Sequence, residues 1–137
     1  TNMSVTGQCL CGEISYRIDN PPAMNGVCHC KNCQRQAGSA FSTLAGVPVN
    51  ELHISGEPKL YVDPDTVSGN SVQRFFCGSC GSPIYSAVQS SPDMVFLKTG
   101  TMDDNSTFQP QFHVWCDTKQ PWVDIAEGVP AIPKNPS

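Results

Sequence analysis

The chain has 137 residues, of which 39% are apolar, and its 8 basic and 12 acidic side chains give a net charge of −4. The length fits one domain, 1–137, and the negative charge argues against a nucleic-acid partner, which would require a basic face. The sequence contains no run of 18 apolar residues that could span a membrane. It also lacks the basic start followed by an apolar segment that would indicate a secretory signal, so we expect a cytoplasmic protein.

The predicted elements are short, because 11 glycines and 12 prolines interrupt the apolar segments. Residues 1–8 are expected to form an irregular terminus. Strict alternation over residues 13–18 predicts a strand with Ile14, Tyr16 and Ile18 facing the core.

A short helix is predicted over residues 32–37, with Asn32 as its N-cap and Gly38 as its stop. Further strands are predicted over residues 39–49, 52–54, 59–62, 72–76, 83–88, 93–99 and 112–116. These elements favour a mainly β fold with at most short helical turns.

Two stretches outside these elements also carry expectations. Turn-forming residues at 63–65 and 68–70 predict an exposed loop. The proline-rich tail is expected to be irregular, with Trp122 packed against the rest of the protein.

Eight cysteines in a chain without a secretory signal favour metal binding over disulfides. Two cysteines separated by one residue can bridge each other only with strain, whereas both can bind one ion. A disulfide-bonded secreted domain is the alternative. Seven cysteines form three groups of spacing CxC, CxCxxC and CxxC, which are Cys9 and Cys11; Cys28, Cys30 and Cys33; and Cys77 and Cys80.

The last pair lies in Cys77-Gly78-Ser79-Cys80-Gly81, which has the form of half a zinc knuckle. A tetrahedral site needs two more ligands, and Cys9 and Cys11 would supply them. Four thiolates leave no position for substrate, so this site would be structural and would contribute on the order of 10 kcal/mol to folding. The alternative is that Cys9 and Cys11 are ordinary thiols.

The central group offers only three ligands, Cys28, Cys30 and Cys33, and so leaves one position of a zinc ion open, as in catalytic sites. Three thiolates give the centre a net charge of −1, which suits a thiol as fourth ligand and keeps that thiol deprotonated. This predicts chemistry on a substrate thiolate rather than metal-hydroxide hydrolysis. The alternative is a closed structural site completed by His29 or Cys116, although His29 is expected to point away and Cys116 to be a buried thiol on the last strand.

Nearly the whole chain resembles the glutathione-dependent formaldehyde-activating enzymes, the GFA or CENP-V/GFA family. The segments that carry the resemblance are 7–12, 28–35 with Gly38 and Ser39, 74–81, 100–104 and 110–122. It implies a β-tent fold of small antiparallel sheets around zinc sites. It also implies two zinc ions per chain, a structural one on the four outer cysteines and a second on the central three.

The resemblance further implies a zinc-dependent carbon–sulfur lyase, which joins glutathione to formaldehyde and gives S-hydroxymethylglutathione. Cys28, Cys30 and Cys33 would be its catalytic residues. The candidates for substrate binding are His29, Lys31, Arg35 and His113, although a lone histidine such as His113 is more often a packing residue.

Glutathione carries two carboxylates that would require cationic partners. The candidate cations are Lys31, Arg35, Arg74 and Lys119. The alternative is that these are solvated surface charges, or that Arg74 packs beside the zinc knuckle. Two other functions remain open. One is a zinc enzyme that hydrolyses or isomerises a small imine or carbonyl compound, and the other is a non-catalytic, zinc-stabilised binding module.

Overall fold

The computed structural model describes residues 5–64 and 69–134 of the chain. Within them the chain forms a helix α1, Lys31–Ala37, and 3₁₀ turns at Val49–Glu51, Thr99–Thr101 and Cys116–Thr118. The strands are β1 (Val5–Gln8), β2 (Ser15–Ile18), β3 (Met24–Cys28), β4 (Ser42–Pro48), β5 (Leu52–Ser55), β6 (Lys59–Asp63), β7 (Val72–Phe76), β8 (Pro83–Val88), β9 (Met94–Lys98) and β10 (Phe112–Val114). The predicted mainly β fold is confirmed. No helix in these residues is long and apolar enough to cross a membrane.

The strands form two sheets, a three-stranded one in the order β1-β2-β5 and a seven-stranded one in the order β10-β3-β4-β9-β8-β7-β6. Neighbouring strands are antiparallel except β10, which runs parallel to β3. A parallel pair requires a long crossover, which the chain between β3 and β10 provides. The other strand pairs are antiparallel, as the family resemblance implied.

The core lies between the two sheets, where alternate residues of each strand meet. Ile14, Tyr16 and Ile18 are at most 4% exposed, as the alternation predicted. They pack with Val47 and Leu97 of the larger sheet. The opposite face of the larger sheet is left free to line a cavity.

Several predicted boundaries are wrong. Residues 5–8 belong to β1 rather than to an irregular terminus, because Gly7 lets the strand approach the Tyr16 ring closely. The strand predicted over 112–116 ends at Val114, because Trp115 adopts a positive φ of 58° and Cys116 begins a 3₁₀ turn.

Two side chains do not lie where the sequence placed them. Asp63 ends β6 and is buried, because it pairs with Arg74, instead of lying in an exposed loop. Residues 65–68 of that predicted loop are outside the described residues. Trp122 is 70% exposed rather than packed.

The ends of α1 are set by two different residues. The helix is capped at its N-terminus by Cys30, whose Sγ accepts a hydrogen bond of 3.2 Å from the Cys33 amide, and not by Asn32. The predicted stop at Gly38 is confirmed, because Gly38 adopts the left-handed conformation (φ 63°) that a C-terminal cap requires.

Candidate metal centres and active site

Four cysteines from distant parts of the chain form one cluster, with all Sγ atoms within 4.8 Å of one another: Cys9, Cys11, Cys77 and Cys80. The Sγ of Cys11 lies 3.6 Å from that of Cys9 and 3.8 Å from that of Cys77. A zinc–sulfur bond of about 2.3 Å in a tetrahedral site places neighbouring sulfurs about 3.8 Å apart. The four thiols therefore fit one tetrahedral ion without a free position.

Backbone and side-chain hydrogen bonds surround the sulfurs of this cluster. The amides of Ile14 and Ser79 donate to the Sγ atoms of Cys9 and Cys77, at 3.3 and 3.4 Å. Hydrogen bonds from Ser82, chiefly from its hydroxyl group, lower the pKa of Cys80 to about 5. Thiolates are the form in which cysteines bind a metal ion.

The second cluster joins the end of β3 to α1. Cys28 is the last residue of β3, Cys30 caps the helix and Cys33 lies in its first turn. Their Sγ atoms are within 4.8 Å of one another, and no further Cys, His, Asp or Glu of the described residues joins the group. Neither His29 nor Cys116 therefore completes it, and a metal ion held here would keep one position for another ligand.

The charge of this cluster is set by its own thiols and by two cations. Hydrogen bonds from Cys28 and Cys30 lower the pKa of Cys33 to about 3, and the charges of Lys98 and Arg74 act in the same direction. The cluster thus favours a thiolate at Cys33, and the nearby cations favour further negative charge.

The side chain of His29 is fully buried and points away from the cluster toward a second histidine. Its Nε2 atom lies 2.8 Å from Nδ1 of His113, and the two rings are stacked with centroids 5.1 Å apart. Burial is the main cause that lowers the pKa of both, to about 4 for His29. The backbone oxygen of His29 also accepts hydrogen bonds from Gln34 and Thr118, so this residue ties α1 to the turn at 116–118.

A cavity of about 430 Å³ opens beside the three-cysteine cluster. Its volume is in the range of small-molecule sites. Most of its wall is apolar, and the charged side chains among the described lining residues are Arg74 and Lys98. Apart from the three cysteines, the lining includes Gly26, Val27, Leu44, Asn70, Val72, Ser86, Val88, Phe96, Phe112, Val114 and Trp115.

Arg74 is fixed in this wall by a chain of polar contacts. Its Nε donates to Oδ2 of Asp63 at 2.9 Å, and the Asn32 amide donates to the same carboxylate at 3.3 Å. Asn32 therefore links the helix that carries Cys33 to the arginine. Of the four cations proposed from the sequence, Arg74 is the one that lines the cavity.

Lys98 is a cavity residue that the sequence reasoning missed. It is 7% exposed, and its Nζ donates a hydrogen bond of 2.7 Å to Oγ of Ser42. Burial lowers its pKa, whereas the charge of Cys33 opposes that effect. The sequence did offer a signal for this residue, because Lys98 ends the apolar strand Met94–Lys98. A lysine is rarely buried, so its place in such a strand is unusual.

The remaining predicted substrate contacts lie elsewhere. Lys31 and Arg35 are exposed and border a separate open depression beside Trp122, because helical periodicity turns them away from Cys33. Lys119 donates to the backbone oxygen of Val123. His29 and His113 are buried outside the cavity wall.

The family model described as "Glutathione-dependent formaldehyde-activating enzyme" matches residues 4–118 of the chain. Similar curated proteins carry the name "Putative glutathione-dependent formaldehyde-activating enzyme". One from Podospora anserina is 27% identical over 78% of this chain and 52% of its own length. One from Fusarium vanettenii is 22% identical over 77% of this chain and 57% of its own length. One from Aspergillus flavus is 25% identical over 76% of this chain and 56% of its own length.

The chain thus spans about half the length of these curated relatives. A solved crystal structure of a Rhodobacter sphaeroides protein is similar in fold, with a TM-score of 0.59 and 20% sequence identity. The similarity covers 74% of this chain and 91% of that one.

Proposed function

Because the chain belongs to the glutathione-dependent formaldehyde-activating enzyme family, we propose that it is a zinc-dependent carbon–sulfur lyase. It would join a thiol, with glutathione as the family's own candidate, to formaldehyde or a related small aldehyde. The observation that carries the proposal is a group of three thiols, without a fourth ligand among the described residues, at the wall of a 430 Å³ cavity.

The residues present suit two zinc ions per chain. Cys28, Cys30 and Cys33 would hold the catalytic ion, and the four outer cysteines the structural one. A zinc ion bound by three thiolates supplies a soft centre that keeps a further thiol deprotonated at neutral pH. The described cysteines form no disulfide, which fits a reducing compartment such as the cytoplasm. Residues 1–137 would act as one catalytic domain.

The reaction is a simple addition. The thiolate sulfur attacks the aldehyde carbon, a carbon–sulfur bond forms, and the carbonyl electron pair moves to oxygen, which takes up a proton. The apolar wall, which includes Leu44, Phe96 and Phe112, would exclude water from the reacting atoms. Arg74, held by Asp63, would provide a fixed positive charge near them.

Metal content and adduct formation test the proposal together. Zinc-loaded protein is mixed with glutathione and formaldehyde, and the hydroxymethyl thioether is followed by NMR. We expect two zinc ions per chain in the wild-type protein, and one zinc with no catalysis but a retained fold in Cys33→Ser. Cys116→Ser is the matched control, because Cys116 lies outside both clusters, and it should behave like the wild type.

A fully active Cys33→Ser protein would contradict the assignment of this site. Turnover of an imine or carbonyl compound in buffer free of any thiol would instead favour a hydrolase or an isomerase.

A further inference from the structure

The floor of the cavity is divided into an apolar side and a polar side. On β10, β3 and β4 the lining residues carry no polar side chain apart from Cys28 of the cluster itself, whereas Arg74, Ser86 and Lys98 lie on β7, β8 and β9. We propose that this floor is a subsite for aliphatic aldehydes longer than formaldehyde, which binds the aldehyde oxygen on its polar side and the carbon chain on its apolar side. This inference rests on the proposed function, since it names the class of aldehyde that the same site accepts.

The polar side offers hydrogen-bond donors to an oxygen atom in the cavity. Ser86 is directly opposite Arg74 on the neighbouring strand, and such side chains are about 5 Å apart, so the two belong to one patch. Arg74 uses its Nε for Asp63, and its guanidinium carries further N–H groups. The Oγ atom of Ser86 is buried without a hydrogen-bond partner among the described residues, which is unusual for a hydroxyl group. A carbonyl oxygen at this wall would accept hydrogen bonds from both residues.

The apolar side lies directly beside the thiols. Phe112, Gly26 and Leu44 form a row across β10, β3 and β4. A Cβ atom at Gly26 would lie 2.6 Å from the Phe112 ring, so the glycine lets the ring lie over the strand. Phe112 and Leu44 pack against the three-cysteine cluster, yet both are only partly buried. Apolar surface therefore faces the cavity within reach of a ligand at the cluster.

Formaldehyde cannot use this surface, because it has no carbon substituent. A longer aldehyde would cover the surface, and each methylene group transferred from water to an apolar wall raises affinity about fourfold. The two sides adjoin where Leu44 is directly opposite Lys98 on the neighbouring strand. One aldehyde of a few carbons can therefore contact both sides at once.

The contacts with the oxygen would act during the reaction itself. The thiolate sulfur attacks the carbonyl carbon, a carbon–sulfur bond forms, and the electron pair of the C=O double bond moves to the oxygen. Ser86 and Arg74 would donate hydrogen bonds to this oxygen while its negative charge develops, and both keep their own protons. The oxygen then takes up a proton from water, which gives a hemithioacetal.

A simpler role for the apolar wall is to exclude water, and a simpler role for Ser86 is structural. In that case the chain length of the aldehyde would not matter, and removal of the Ser86 hydroxyl group would affect stability alone. The two views therefore differ in how the rate acceleration depends on the aldehyde.

The experiment compares formaldehyde, propanal and pentanal, each with glutathione, on the zinc-loaded protein. For every aldehyde, kcat/KM is divided by the rate constant of the uncatalysed reaction with the same thiol, which removes differences in intrinsic reactivity. We expect this quotient to rise about tenfold or more from propanal to pentanal, since two further methylene groups are buried. It should be lowest for formaldehyde.

Variants separate the two sides of the subsite. Leu44→Asn should bring the pentanal-to-propanal ratio close to one, and Leu60→Asn is the matched control, because Leu60 is exposed on β6 outside the cavity. Ser86→Ala should lower the quotient about tenfold for all three aldehydes alike, since each has the same oxygen. Its free energy of unfolding should not decrease, because it loses a hydroxyl group that has no partner.

Binding is measured separately by NMR titration with the unreactive amides formamide, propionamide and pentanamide, with and without zinc. Pentanamide should bind about tenfold more tightly than propionamide, and Leu44→Asn should remove the difference. If no aldehyde gives an adduct but this graded binding is found, the proposed reaction fails and the subsite stands. If adducts form with equal acceleration for all aldehydes, or if Ser86→Ala has no effect on their rates, the subsite is overturned. If Leu44→Asn does not fold, nuclear Overhauser effects between the pentanamide methyl group and Phe112 decide the question, and their absence contradicts the subsite.

Discussion

At the scale of single residues, Asn32 connects parts of the site that are distant in sequence. It lies in the cysteine motif, yet its side chain contacts Asp63 at the end of β6, which in turn holds Arg74 on β7. The helix that carries Cys33 is therefore coupled to the cationic wall of the cavity through one buried carboxylate.

Replacement of Asp63 by asparagine should destabilise the protein strongly. Both partners of the ion pair are nearly buried, with the side chains of Asp63 and Arg74 11% and 6% exposed, so Arg74 would lose its paired carboxylate where water cannot replace it. We expect a loss of about 3–5 kcal/mol in the free energy of unfolding, measured by urea denaturation. Asp117→Asn is the control, because its pair with Lys134 is exposed, and it should cost less than about 1 kcal/mol. Similar losses in both variants would contradict this view of the buried pair.

The stacked histidines predict a pH dependence of stability. Burial lowers the pKa of His113 in the folded protein below its ordinary value near 6.5, so the unfolded chain takes up the proton first as the pH falls. The stability that depends on neutral His113 is present above about pH 6.5 and is lost as the pH falls through that value toward its lower folded-state pKa. In His113→Phe the decrease of the unfolding free energy between pH 7 and pH 5 should be shallower. Equal slopes, from urea titrations at each pH, would exclude this contribution.

At this scale the sequence predicted the thiols well and the charges poorly. Cysteine spacing limits which sulfurs can share an ion, so the two groups were separable without a structure. The positions of Lys98 and Asp63 depend on which strands become neighbours, and no local pattern specifies that.

At the scale of elements, α1 is a helix of seven residues that begins at a side-chain cap, Cys30, and ends at a glycine with a left-handed backbone, Gly38. So short a helix has little intrinsic stability, and its caps and tertiary contacts hold it in place. Gln34 provides such contacts, since its amide donates to the backbone oxygens of His29 and Thr118.

Substitution at the C-terminal cap should therefore destabilise the helix. Gly38→Ala places a Cβ in open space, so the cost comes from the left-handed backbone alone, and we expect about 1–2 kcal/mol in urea denaturation. Gly100→Ala is matched, because its Cβ also meets no atom while its backbone is not left-handed, and it should be close to neutral. An equal effect of the two substitutions would show that backbone conformation is not the cause.

Element types were predictable here, because alternation and glycine positions are local signals. Element boundaries were less predictable, since each depends on a particular side-chain contact or backbone conformation. Cys30 displaced Asn32 as the N-cap, and Trp115 ended β10 through a positive φ that tryptophan rarely adopts.

At the scale of the whole molecule, the two cysteine clusters should have separable roles. The four-thiol cluster adjoins the main core through Cys9 and Cys77, whereas the three-thiol cluster borders the cavity. Loss of metal from the first would remove a cross-link between distant turns, and loss from the second would leave the sheets intact.

A graded chelator titration should therefore release metal in two stages. The ion at the open site should leave first without a change in the far-ultraviolet circular dichroism. Release of the second ion should coincide with unfolding, since a structural zinc contributes on the order of 10 kcal/mol. Zinc release is followed with a colorimetric indicator in the same samples. Cys80→Ser should reproduce the second stage without chelator, and a well-folded, metal-depleted Cys80→Ser protein would refute the structural role.

The arrangement of the sheets is the part of the fold that the sequence did not reveal. Parallel pairing of β10 with β3 and the seven-strand order depend on contacts across most of the chain. The mainly β class itself followed from the short, alternating segments between glycines and prolines.

The Cys30 sulfur has two tasks, because it belongs to the open cluster and also accepts the hydrogen bond from the Cys33 amide. A metal ion that converts this sulfur to a thiolate strengthens that hydrogen bond. Occupancy of the centre by a metal ion would thus change the protection of one backbone amide, that of Cys33, against exchange with deuterium. A single resonance in an NMR spectrum would then report metal arrival and departure, even with a spectroscopically silent ion.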